Sequence, residues 1–183
     1  MSNITASMHH TRKTIARLSR TQYNTFSFGS KLLQLFCGVV LIFIGVQGGS
    51  ALSSSLCLFA GCWLCVNTDV RAKLRASRIC DSLHNQYPAT QYTFKENEFL
   101  LDADTKSPLS YKRLIRLIED NQYLYLYISE TSAYMIDKAT VRPDVDTLKK
   151  LLTHSTGLRW CRPTSLLNFS LRTLRAGKKN YTC

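Results

Sequence analysis

No Asp, Glu, Lys, Arg or His occurs between residues 32 and 68, although charged side chains are frequent on both sides of that stretch. Few globular cores stay free of charge for so long, so the gap points to a membrane segment rather than a soluble interior. Acids are also missing from residues 1–31, which carry only Arg12, Lys13, Arg17, Arg20 and Lys31. The seven cysteines are an odd number with no framework spacing. That excludes a small disulfide-stapled fold and fits a reducing cytoplasm.

Catalytic and cofactor signatures are missing too. There is no nucleophile-elbow sequence and no Gly-rich phosphate loop. Cys62 and Cys65 have the spacing of a redox or metal pair, but they lie inside the apolar stretch without a second pair to complete four ligands. His9, His10, His84 and His154 have no Cys or carboxylate cluster nearby. Glu96, Glu98, Asp102 and Asp104 alternate as a solvated face does and lack the spacing of a calcium loop. The expectation is no enzyme activity, no catalytic residue, no metal and no cofactor.

The net charge of +12 raises nucleic acid as a partner, but its distribution speaks against it. Residues 79–160 are close to neutral, and the excess lies in the leading segment, just after the apolar stretch, and in residues 161–183. A nucleic-acid-binding domain carries its basic patch on the fold itself. No nucleic-acid partner is expected, and the row Tyr123, Tyr125 and Tyr127 reads as a packed aromatic cluster under a helix rather than a base-stacking platform.

As one helix, residues 32–68 would run about 55 Å, against a hydrocarbon core of about 30 Å. Gln47-Gly48-Gly49-Ser50 is a turn signal that divides them. The sequence predicts a transmembrane hairpin over residues 28–67, with spans at 28–46 and 51–67. Gly38 and Gly45, with Ser54, Ala60 and Gly61 opposite, would let the two helices approach closely. Trp63 suits an interfacial aromatic. A cleaved signal peptide fits badly, since 31 residues precede the apolar core. A buried soluble hairpin and one span with a re-entrant second half remain as alternatives. By the positive-inside rule both termini face the cytoplasm, because the Gln47–Ser50 loop has no basic residue. Arg12, Lys13, Arg17 and Arg20 before the hairpin, and Arg71, Lys73, Arg75 and Arg78 after it, are the candidates for contact with the membrane surface.

The rest divides into a basic leading segment (1–27), a basic juxtamembrane helix or linker (68–88), a small antiparallel α+β domain (89–160) and a basic tail (161–183). A break falls at Tyr87-Pro88. Strands are expected at 91–94 and 98–101, and a strand with a bulge or a helical turn within 110–119. Strict alternation marks a strand at 123–128, with 133–136 as its hairpin partner. Pro143-Asp144-Val145-Asp146 opens a helix whose apolar face is Val145, Leu148, Leu151 and Leu152, and Gly157 ends it. In the tail, Leu167, Leu171 and Leu174 with Arg172, Arg175 and Lys178 suggest either a short amphipathic surface helix or a disordered basic segment.

Two apolar spans, a basic exit, Phe94-Lys95-Glu96-Asn97-Glu98-Phe99, the runs 111–119 and 123–129, Tyr134-Met135-Ile136-Asp137-Lys138 and then a helix together resemble the YcxB-like family of bacterial membrane proteins. The resemblance covers roughly residues 32–158, and Asp137-Lys138 stands where the family pattern has Pro-Lys. It departs from the pattern in two ways. The leading segment shows no strand before the first span, and the tail extends past the usual end. The resemblance implies a pleckstrin-homology-like sheet with a capping helix, anchored by the hairpin in the bacterial cytoplasmic (inner) membrane, and no enzymatic activity. The expected role is a membrane-anchored interaction or regulatory module, with the lipid bilayer and a protein partner or second copy as partners. The alternative is a small accessory subunit of a larger membrane complex.

Overall fold

The structure is a computed structural model that describes residues 4–84, 86–87, 89–101 and 108–163. Pro88, Asp102, Asp104 and the predicted amphipathic stretch of the tail lie outside the described residues.

The first element contradicts an expectation. β1 (Ile4–His9) is a strand that turns Ile4, Ala6 and Met8 into the core. It pairs antiparallel with β2 (Ala89–Phe94), from Ile4 opposite Phe94 to His9 opposite Ala89. Three inward positions with one as small as alanine make a weak period-2 signal, and the partner lies on the far side of the helices. β2 continues to β3 (Glu98–Leu101) and β4 (Leu109–Ser110) in a four-stranded sheet of order β1-β2-β3-β4.

Thr11 caps α1 (Arg12–Phe26), its hydroxyl accepting from the Thr14 N–H while its own N–H donates to the Thr14 hydroxyl. After a break at Ser27 comes α2 (Phe28–Gln47), then α3 (Ala51–Val66) and α4 (Val70–Ser82). α1 packs on α4 through Ile15, Ala76 and Cys80, which joins the described parts of segments 1–27 and 68–88 to each other.

The second sheet has the order β7-β6-β5-β8. It comprises β5 (Arg116–Glu119), β6 (Tyr123–Tyr127), β7 (Ala133–Asp137) and β8 (Trp160–Cys161), all antiparallel except β5 with β8. A single 3-10 turn at Tyr111–Arg113 precedes β5, so the predicted run 110–119 contains both a helical turn and a strand. α5 (Val145–Thr156) starts on the Asp144 carboxylate, which accepts from the Asp146 and Thr147 N–H groups. It ends at Gly157 in a left-handed conformation, φ 68°, as predicted. Leu148 and Leu152 are fully buried in the core shared by the two sheets, with Phe94, Phe99 and Leu117.

β6 is buried on both faces. Leu124 and Leu126 join the apolar core, while Tyr125 and Tyr127 are equally inaccessible on the other side. α1 covers them. Phe26 meets Tyr127 edge-on at 5.2 Å, Arg17 stacks over Tyr123 at 4.9 Å, and the Tyr125 hydroxyl donates to Asp120, which pairs with Arg17. The tyrosines do lie under a helix, and that helix comes from the leading segment.

Candidate membrane interface

α2 and α3 pack antiparallel, and glycine makes the approach possible. A Cβ on Gly38 would stand 2.7 Å from Cys65 Sγ and 3.0 Å from the Gly61 carbonyl oxygen. One on Gly45 would stand 3.0 Å from the Ser54 carbonyl oxygen, and one on Gly61 2.7 Å from the Gly38 carbonyl oxygen. All four predicted packing positions thus meet at the helix seam, Ser54 through its backbone. Ala60, expected beside them, is exposed instead.

The outer faces are apolar and, among the described residues, uncovered. Leu33, Phe36, Phe43 and Val46 on α2, with Leu52, Leu56, Phe59, Trp63 and Val66 on α3, are each at least 60% exposed. Among the described residues α2 alone is long and apolar enough to cross a membrane. α3 has 16 residues, about 24 Å of helix, and reaches the required length only together with α4, from which it bends by 55°.

The eight basic candidates do not form one patch. Arg12 and Lys13 are exposed at the end of α1 remote from the hairpin, and Arg78 and Lys73 are exposed on α4. Arg17 is committed to Asp120 at 3.1 Å, and Arg20 to Asp69 at 3.0 Å. Arg75 donates to the Thr131 carbonyl at 2.8 Å from its Nη2 alone, and Arg71 is exposed with no partner among the described residues. Arg17 and Arg20 thus keep much of their side chains at the surface while pairing with acids of the folded body. Distance in sequence from the apolar stretch gives neither the direction of α1 nor the position of the acids it meets.

Lys31 is a residue whose role the sequence did not reveal. It sits within the first turn of α2, its side chain 5% exposed, and its ammonium donates to the Asp69 carboxylate oxygen Oδ1 and to the amide oxygen of Asn24. The Tyr23 ring lies 5.2 Å away. Burial by itself pushes the Asp69 carboxyl up, but Lys31 and Arg20 outweigh it and hold the group below the usual carboxylate range. The signal was present in the sequence. The register that sets Gly38 against Gly61 and Gly45 against Ser54 carries Lys31 to Asp69, the first acid in the chain.

Beside this pair lies a cavity of about 140 Å³ between α1, α4 and the turn joining β6 to β7. Ser19 and Tyr23 line it from α1, Arg71 and Arg75 from α4, and Glu130 and Thr131 from the turn. The hydroxyls of Ser19 and Tyr23 are both buried and have no hydrogen-bond partner.

Nothing in the described residues forms a group of three or more metal-ligating side chains. Cys37, Cys57, Cys62, Cys65 and Cys80 are free thiols. Cys161 is disulfide-bonded. No family model, no curated protein and no solved structure matches the chain.

Proposed function

We propose that the chain is a membrane-anchored, non-enzymatic interaction or regulatory module, held by the α2–α3 hairpin as a two-pass anchor with its two-sheet domain at the cytoplasmic face. The observation that carries this reading is the belt of large apolar side chains exposed around the hairpin, from Leu33 to Val66. A contiguous exposed apolar surface of that kind needs a membrane or a partner. The accessory-subunit reading is weaker because the hairpin spends its glycines on its own seam. What it presents outward is Leu, Phe, Val and Trp, which suit lipid.

β1 ahead of the hairpin supports the resemblance to the YcxB-like family, since a strand before the first span belongs to that pattern. Two sheets closed by α5 agree with the pleckstrin-homology-like expectation. The basic residues on either side of an uncharged Gln47–Ser50 loop support cytoplasmic termini in a bacterial inner membrane.

Labelling with a membrane-impermeant maleimide tests this topology, using single-cysteine variants Gly49→Cys in the hairpin loop and Asn121→Cys in the exposed β5–β6 turn. In intact cells Gly49→Cys should label and Asn121→Cys should label only after the membrane is opened. Labelling of Asn121→Cys from outside overturns the cytoplasmic assignment. Labelling of both from the same side overturns the two-pass hairpin.

A further inference from the structure

The cavity beside the Lys31–Asp69 pair has the composition of an anion site. Arg71 has no partner among the described residues, and Arg75 uses only Nη2 on Thr131, so both guanidinium groups keep donors to offer. Ser19, 2% exposed, and Tyr23 both line the cavity, and the hydroxyl of each is buried without a hydrogen-bond partner. Buried hydroxyls are nearly always satisfied, so two left unpaired in the wall of one cavity are donors available to a ligand that accepts hydrogen bonds. The Gln22 amide is already committed to the Glu130 carbonyl, which anchors the β6–β7 turn over the cavity. The Glu130 carboxylate belongs to an exposed residue on the rim and offsets one of the two positive charges.

Size and position narrow the ligand. A volume of about 140 Å³ suits a single compact anion and is well below the roughly 300–1,000 Å³ of sites for drug-sized molecules. Phe26 and Ser27, the last residues before α2, form one wall, and Arg71 and Ala72 in the first turn of α4 form another. The cavity therefore stands where the hairpin enters and leaves the apolar layer, the level of the phosphates if the hairpin is embedded. Arginine forks recognise phosphate oxygens with fixed geometry.

We propose that this cavity binds one phosphate group, supplied by the headgroup of an anionic phospholipid in the leaflet that anchors the chain. The choice of lipid over free phosphate rests on the membrane reading above, while the phosphate chemistry does not. Lipid phosphate held there would join α1, α4 and the β6–β7 turn, coupling the domain's seating to the lipid around it.

The test uses the full chain in non-ionic detergent and reads its thermal midpoint as ligands are added. The ligands are dihexanoyl phosphatidic acid, dihexanoyl glycerol as the phosphate-free control, and inorganic phosphate. Phosphatidic acid should raise the midpoint and dihexanoyl glycerol should not. Arg71→Gln should raise the half-effective concentration about tenfold, the scale of one charged hydrogen bond. Tyr23→Phe, which keeps the ring over Lys31 and removes only the hydroxyl, should raise it severalfold. Arg78→Gln, farther along α4 and outside the cavity, should leave it unchanged. An equal loss in Arg78→Gln, or no response to phosphatidic acid, overturns the site. Equal protection by inorganic phosphate with the same variant pattern upholds the phosphate site and overturns the lipid assignment. Because the titration is done in detergent, it can succeed or fail independently of the maleimide labelling that tests the hairpin.

Discussion

Lys31 and Asp69 lie 38 residues apart in the chain and form an ion pair across the open end of the α2–α3 hairpin, with Arg20 of α1 as the second cation on the same carboxylate. The pair ties three helices at the point where the apolar segment meets the folded domain. Its lysine is almost fully withdrawn from solvent, so removing its partner leaves a buried positive charge.

Asp69→Asn should therefore be costly, by about 3 kcal/mol on the scale of broken buried pairs. The double variant Lys31→Met with Asp69→Leu should recover most of that loss, because no unpaired charge remains. Urea unfolding of the detergent-solubilised chain measures both. A double variant no more stable than Asp69→Asn would contradict the assignment of a structural pair.

The glycine seam makes a second comparison. A methyl at Gly61 would stand 2.7 Å from one backbone oxygen and 2.9 Å from the Ile42 nitrogen, so neither neighbour can rotate away. Gly61→Ala should destabilise by about 1–3 kcal/mol through forced separation of the helices. Gly29→Ala, where nothing lies within 4 Å, should be neutral or slightly stabilising, since alanine is the better helix former. Thermal midpoints of the two variants in one detergent check the contrast.

Helix α5 and the β6–β7 hairpin were readable from the sequence because their signals are local. Leu148 and Leu152 fall on one helical face, Gly157 stops the helix, and Tyr123 to Tyr127 alternate without interruption. Alternation identifies two faces, but it does not say that both are covered. The burial of Tyr125 and Tyr127 depends on α1, about a hundred positions earlier in the chain. β1 was missed for the same reason. Ile4, Ala6 and Met8 read as a strand only once β2 is beside them. The cavity needs side chains from α1, α4 and a turn to converge, and no spacing in the sequence encodes that meeting. The hairpin seam lies between these cases. Its glycines were visible, and extending their register would have paired Lys31 with Asp69.

The acid limb of stability should follow Asp120. Burial alone would push its carboxyl up, but the Tyr125 hydroxyl, the N–H groups of Gln122 and Tyr123, and Arg17 together hold it below the ordinary value of 3.8. A depressed carboxyl contributes stability that is fully present above its unfolded pKa and is lost as pH falls through the folded one. Unfolding midpoints in urea should therefore be flat above about pH 5 and drop below about pH 4. Asp120→Asn should lower the plateau and make the drop shallower. Asp69 and Glu119, also held below their usual range by paired cations, keep a residual slope in that variant.

The discontinuous domain makes the strongest claim on the leading segment. β1 supplies Ile4, Ala6 and Met8 to the core shared by the two sheets, with Met8 1% exposed. It is also tied to the segment that follows β7. Thr5 and Arg142 exchange backbone hydrogen bonds at 3.0 and 2.8 Å, and the Thr140 hydroxyl donates to the Ser7 carbonyl at 2.7 Å. Met8→Ala should cost about 2–5 kcal/mol, a core penalty from a position ahead of the apolar hairpin. A fragment that begins at residue 68 should fail to fold, since it uncovers the inner edge of β2 and the tyrosine face of β6 together. Adding a soluble peptide of residues 1–27 in trans should restore protection of the Tyr125 and Tyr127 amides in hydrogen exchange. A fragment from residue 68 that is already protected and cooperative on its own would show that β1 and α1 are accessories, and the domain would then need nothing ahead of α4.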